Sequence, residues 1–225
     1  MARHEQSGEY KSVATKTIVV GVTGASGGIF ARRMLQLLEG DPRVGKVHLV
    51  ISGSGLKVLR EELDLDVSKS SAIAALLVGK PARKTVYLLD SDVGASIASG
   101  SYPVDGMVVI PCSTGCLAQV ANGISSTLIE RAADVCLKEG RKLILAVRDT
   151  PFGRVHLENM LRAQQAGADI FPIIPSFYHR PESIDDLVVQ YCCRVLVHLG
   201  LEQPQQFRWM GEAKQQVRVK GVSDA

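Results

Sequence analysis

The chain has 225 residues, is 46% hydrophobic and 22% charged, and carries a formal net charge of +3 at pH 7. That length suits one domain with one sizeable core, and the balance of residues is that of a soluble globular protein. The weak charge, with no Lys/Arg stripe interleaved with aromatics, argues against a nucleic-acid partner, and no apolar run is long enough for a membrane span.

The polar start, from Met1 to Ser7, lacks the apolar core of a signal peptide, so residues 1–16 read as a disordered leader. Residues 17–202 read as the domain. Residues 203–225 read as a tail that closes a site or packs on a neighbouring subunit. The five cysteines (Cys112, Cys116, Cys136, Cys192 and Cys193) are odd in number and set in a large core. They read as small buried hydrophobes of a reducing, cytoplasmic compartment. Cys112 and Cys116 have no second Cys or His pair beside them, so no metal site is expected.

Short apolar runs at 17–22, 47–51, 107–110, 143–147 and 170–173 read as buried parallel strands, with 86–89 a possible sixth. Helical patterns at 28–38, 55–63, 126–138, 155–166 and 183–199 alternate with them. The expectation is a single-domain α/β fold, a doubly wound parallel sheet of Rossmann-like or flavodoxin-like type flanked by helices. Ligands of such sheets bind at the carboxyl ends of the strands, so the loops there carry the argument.

After the first strand comes Gly24-Ala25-Ser26-Gly27-Gly28. Its glycines allow a tight turn, and the following helix start offers N–H groups to an anion. A βα turn with no ligand is the alternative. The loop is neither a Walker A sequence nor G-x-G-x-x-G, so no dinucleotide is indicated. After the second strand, Ser52 either touches the same ligand or, like Ser54, caps the next helix. Glu62, further along, reads from pattern alone as a solvated helix residue.

The third loop, Cys112-Ser113-Thr114-Gly115-Cys116, could lay a flat ring against backbone N–H groups, or Ser113 could cap a helix. Arg148 and Asp149 follow the run 143–147. Arg148 suits bidentate phosphate binding, and Asp149 is a candidate proton acceptor. Either could instead form a structural pair. His156 reads as a helix residue bonded to a turn. Tyr178 offers a hydroxyl to an anion, while His179 and Arg180 could equally brace their loop. Arg194, inside an apolar helix stretch, either snorkels or faces a polar site. Lys138, near a helix end, reads alone as a dipole-compensating surface residue.

In order along the chain stand GASG at residues 24–27, PCS at 111–113, RAADVCLKE at 131–139, RDTP at 148–151, HLENM at 156–160 and FYHRPESIDDLV at 177–188, with Trp209 last. Together they resemble the flavin prenyltransferase family, the UbiX group, over residues 17–209. The resemblance implies non-covalent FMN and no metal. It implies transfer of a dimethylallyl group from dimethylallyl phosphate to N5 and C6 of reduced FMN. The prenylated FMN would be delivered to a UbiD-type decarboxylase, from a dodecamer with sites shared between subunits.

By the same resemblance, Gly24, Ala25, Ser26, Ser52, Ser113, Thr114, Gly115, Cys116 and Arg148 would touch FMN. Lys138, Tyr178 and Arg194 would clamp the prenyl phosphate. Ser26 and Glu62 would stand near the phosphate or reacting centre, Asp149 would move protons, and Trp209 would cover the prenyl group. Two positions depart from the family pattern: Asp149 stands where Glu is usual, and Cys116 where Thr is frequent.

Three other readings compete. A flavin-dependent cysteine-type decarboxylase would need an early active-site His and a Pro-x-Met-Asn-x-x-Met-Trp loop, and neither is present. A short-chain dehydrogenase would need a Tyr-x-x-x-Lys pair. An FMN-binding protein without turnover would not need a second phosphate clamp.

Overall fold

A computed structural model describes residues 15–67 and 69–210. The leader, apart from Thr15 and Lys16, and the end of the tail lie outside the described residues. Six parallel strands form one sheet: β1 (Lys16–Val22), β2 (Val44–Ile51), β3 (Thr85–Leu89), β4 (Gly106–Cys112), β5 (Lys142–Val147) and β6 (Asp169–Ile170), in the order β3-β2-β1-β4-β5-β6. This is the doubly wound arrangement, and the order reverses between β1 and β4, where such sheets open a crevice for a ligand.

Residues of one strand alternate between the two faces. Ile18, Val20 and Val22 pack under α1 (Gly28–Gly40), α2 (Gly53–Leu63), α3 (Ser70–Val78) and α7 (Ile184–His198). Val19 faces the other way, into the core beneath α4 (Thr114–Ala121), α5 (Leu128–Lys138) and α6 (Arg154–Gln165). Both faces are covered, which is why the strands read as continuous apolar runs.

The five expected strands are all present, and the sixth, 86–89, is β3. The run 170–173 is only partly regular. Phe171 N–H and Ile173 N–H still donate to Leu145 and Val147 carbonyls at 2.9 and 2.8 Å. Pro172 between them falls where the backbone faces the open edge of the sheet, so its missing N–H costs no bond to β5. Helices α3 and α4 were not expected as elements. Helix α3 is apolar over most of its circumference and shows no helical stripe. Helix α4 was legible only at its start, through the Ser113 cap.

All five cysteines are free and buried. The carbonyl end of α5 is closed by the Arg141 N–H, which donates to the Cys136 carbonyl at 2.8 Å, while the Arg141 guanidinium donates to the Tyr102 and Gly100 carbonyls of the loop before β4 at 2.9 and 2.6 Å. No described helix is long and apolar enough to cross a membrane, and no group of His, Cys, Asp or Glu among the described residues could hold a metal.

His48 lies within β2, only 2% exposed, with Nε2 2.9 Å from the Tyr102 hydroxyl and no partner for Nδ1 among the described residues. Burial, with a smaller contribution from the charge of Lys46, depresses its pKa to about 4. The unfolded chain therefore takes a proton at His48 before the folded one does. The stability this neutral His supplies is complete above its ordinary value near 6.5 and is lost as pH falls toward about 4. His48→Gln should make unfolding free energy less dependent on pH by about 2–3 kcal/mol between about pH 7.5 and about pH 4.5. Denaturant titrations of both proteins at the two pH values measure this, and equal slopes for the two would refute it.

Candidate active site

The loops after β1 and β4 are tied together at the switch point. Thr23 Oγ1 donates to the Pro111 carbonyl at 2.9 Å and accepts from Ser113 N–H at 2.7 Å. Ser113 in turn caps α4, its hydroxyl accepting Cys116 N–H at 3.2 Å. Ser52 caps α2 in the same way, accepting Gly55 N–H at 3.0 Å, and its hydroxyl lies 3.1 Å from that of Ser54. The capping readings of Ser52 and Ser113 thus hold, and they do not compete with ligand binding. Capping aims both hydroxyls at one crevice of about 260 Å³, lined in part by Thr23, Ser52, Ser54, Ser113, Gly115 and Cys116.

The residues fit a flavin nucleotide. Thr114 and Gly115 are the first residues of α4, and the N–H groups at such positions have no partner within the helix. Gly115 leaves room above them, since an added Cβ there would meet only the Ser113 hydroxyl at 3.9 Å. Gly24 is the opposite case, because a Cβ would stand 2.5 Å from that of Ser54 and push it out of the crevice wall. Gly24→Ala should weaken FMN binding about tenfold or more while leaving the fold intact. Flavin fluorescence titration checks this, and an unchanged Kd would place the ligand elsewhere.

The glycine loop differs from expectation in one respect. Its helix start is not open to an incoming anion, because the Glu62 carboxylate reaches it from α2. Glu62 accepts Gly27 N–H at 2.9 Å and Gly28 N–H at 2.7 Å. Burial works to raise its pKa. The Ser26 hydroxyl, the two N–H groups and the charge of Arg148 together outweigh this, so the carboxyl sits below its usual range. Glu62 is therefore no mere solvated helix residue. Ser26, Glu62 and Arg148 form one charged group beside the crevice, although Glu62 is 35 residues from Gly27. Ala25 is buried beneath this loop.

Asp149 turns toward its own surroundings, accepting from Thr114 Oγ1 at 3.3 Å and from Thr150 N–H at 2.8 Å. It thereby joins the start of α4 to the loop after β5. His156 Nδ1 accepts Gly153 N–H at 3.2 Å at the start of α6, which is the structural role its pattern suggested.

A second cavity, of about 480 Å³, lies between the 170–178 segment, α7 and residues 206–209. It gathers Tyr178, Arg194 and Trp209, which are far apart in sequence. The Tyr178 and Trp209 rings meet edge to face with centroids 5.8 Å apart. The chain after α7 is held there by Gln190, which accepts Phe207 N–H at 2.7 Å and donates to the Gln205 carbonyl at 2.8 Å.

Lys138 joins neither group. Helix α5 starts where Leu128 N–H donates to the Asp90 carbonyl, just past the carboxyl end of β3. Its 11 residues run about 16 Å back toward the amino ends of the strands. Lys138 ends that run, exposed, on the face of the sheet opposite to α7. Among residues the sequence did not single out as ligand contacts, Thr23, Ser54, Asp90 and Thr127 also line the first crevice. Thr23 and Ser54 adjoin the glycine and serine loops. Asp90 and Thr127 carried no signal, since only the packing of β3 against α5 brings them there.

A doubly wound sheet with a hydroxyl-lined crevice at its switch point, and a cationic, aromatic pocket between α7 and the chain after β6, defines a nucleotide-type flavoprotein. The Flavoprotein family model matches residues 6–192. A flavin prenyltransferase UbiX of Alkalihalophilus pseudofirmus is 44% identical over 195 residues, 86% of this chain and 96% of that protein. The crystal structure of AnUbiX with FMN and dimethylallyl pyrophosphate superposes with a TM-score of 0.79 at 37% identity, over 88% of this chain and 99% of that one. A dodecameric FMN-dependent UbiX-like decarboxylase from Escherichia coli O157:H7 gives 0.75 at 40% identity, over 87% and 100%. The chain belongs to the flavin prenyltransferase (UbiX) family of flavoproteins.

Proposed function

We propose that this protein transfers a dimethylallyl group from dimethylallyl phosphate to N5 and C6 of reduced FMN, which is here a substrate. The observation that carries the reading is the pairing of two ligand places. The crevice of Ser52, Ser113 and Gly115 suits a flavin, while the pocket of Tyr178, Arg194 and Trp209 suits an anion joined to an apolar group. A protein that only carried FMN would have no use for the second.

In this reading the Arg194 guanidinium and Tyr178 hydroxyl hold the donor phosphate and stabilise the charge that grows on it as it leaves. The Trp209 ring covers the allylic carbons, where its face favours developing positive charge. Arg148, beside Ser26 and Glu62, supplies a fixed cation at the flavin side, and Glu62 and Asp149 are the proton acceptors within reach. Asp149 is one methylene shorter than the usual Glu, and its bond to Thr114 keeps it at the lip of the crevice.

Lys138 completes the clamp from a neighbouring copy, since its own chain places it on the other face of the sheet. The protein then works as a homo-oligomer, a dodecamer like its E. coli relative. The free cysteines suit the cytoplasm. A UbiD-type decarboxylase takes the product.

The test is anaerobic incubation of the protein with reduced FMN and dimethylallyl phosphate, followed by mass spectrometry of the released flavin. A gain of one C5H8 unit is expected. Unchanged flavin with both the monophosphate and the pyrophosphate would overturn the reading in favour of a flavin carrier.

A further inference from the structure

The chain after α7 folds back along that helix to the pocket, and polar ties fix its course at two points. The first lies near its start. Gln203, 7% exposed, donates to the Asp41 carboxylate and to the Leu201 carbonyl, both at 3.2 Å, and Arg43 donates to the Glu202 carbonyl at 2.7 Å. The second is Gln190, in the middle of α7, whose one amide accepts Phe207 N–H and donates to the Gln205 carbonyl. With both ends of the amide engaged, the segment is held in one register.

Other features of the segment hold Trp209 less firmly. Residues 206–210 belong to no helix or strand. The Trp209 and Tyr178 rings meet only edge to face, and within one chain they are 59% and 74% exposed.

Tether length sets what the second tie is worth. From Gln203 to Trp209 is six residue steps, and from Phe207 to Trp209 is two. At about 3.3 Å per step, the indole could range about 20 Å from the first tie but only about 7 Å from the second. The effective concentration of a tethered group falls roughly as the −3/2 power of tether length, so tripling the tether dilutes Trp209 over the pocket about fivefold.

We propose that Gln190 is a positioning residue of the reaction, acting through Trp209 to keep the indole face over the allylic carbons of the donor. The inference rests on the prenyl-transfer reading above. Gln190 and Arg194 are four residues apart on α7, so they share a face, and both line the pocket. One helix thereby governs both ends of the donor: Arg194 takes the phosphate directly, and Gln190 sets the cover over the hydrocarbon.

Gln190→Met keeps the bulk of the side chain and removes both bonds. It should leave FMN affinity unchanged and lower kcat/KM for dimethylallyl phosphate about fivefold. It should also lower the fluorescence anisotropy of Trp209, the chain's one tryptophan. Gln190→Ala, too short to reach either backbone group, should do the same. In a Trp209→Ala background, Gln190→Met should change kcat/KM by less than about twofold, because the group it positions is gone.

An unchanged kcat/KM in both Gln190 variants overturns this inference, as does an unchanged anisotropy. A loss of equal size with and without Trp209 would also overturn it, since Gln190 would then act on the fold or on the donor rather than through the indole. Failure of the wild-type protein to prenylate FMN would instead strike the prenyl-transfer reading itself.

Discussion

Arg194→Ala is expected to keep FMN bound and to lower prenyl transfer on the order of 10²- to 10³-fold in kcat. Arg194 projects from α7 into the pocket it shares with Tyr178 and Trp209, and it lines no part of the crevice built from Ser52, Ser113 and Gly115. Its removal takes one fixed cation from the place where the leaving phosphate gathers charge, and leaves the flavin's donors untouched. The helix tolerates the change, because Val188, Cys192, Val195 and Leu196 form its buried face while Arg194 is exposed. Flavin fluorescence gives the FMN affinity, and mass spectrometry of the product gives the rate. A variant that folds but no longer binds FMN would sink the assignment of Arg194 to the donor phosphate.

Lys138→Ala should be as damaging as Arg194→Ala, and the two together should reveal the division of the site between copies. One chain cannot bring both cations to one phosphate, because α5 and α7 cover opposite faces of the sheet. If each site takes Lys138 from one copy and Arg194 from another, co-expressed Lys138→Ala and Arg194→Ala chains form some intact sites. Random mixing in equal amounts makes about a quarter of the interfaces wild type at both positions. Activity should recover to about that fraction, from a background near zero for either variant alone. Full activity in Lys138→Ala would return Lys138 to the solvated surface role its helix position suggests. Inactive mixtures would show that the two cations do not serve one site from separate copies.

These expectations rest unequally on sequence and on structure. The strand runs, the alternation with helices and the polar loops at strand ends were legible because burial on both faces and the 3.6-residue helical period leave local marks. Even there, local marks had limits. Helix α3 carries too uniform an apolar composition to show a stripe, and the run 170–173 is regular strand only at its start although Phe171 and Ile173 still bond to β5.

Long-range choices left no such mark. Nothing near Glu62 in the sequence says that it will cap the start of α1, because that bond depends on α2 lying beside the glycine loop. Nothing near Lys138 says which end of the sheet it will occupy.

The sequence by itself therefore determined the fold class, the loops that hold the chemistry and, through its ordered motifs, the family. The tertiary structure alone decided the strand order that opens a crevice between β1 and β4. It also decided the meeting of Tyr178, Arg194 and Trp209, and the separation of Lys138 from them. The physical reason is range. Helix period, strand burial and capping are set by residues a few positions apart, whereas a site is made by contacts whose partners are chosen only when the whole core has packed.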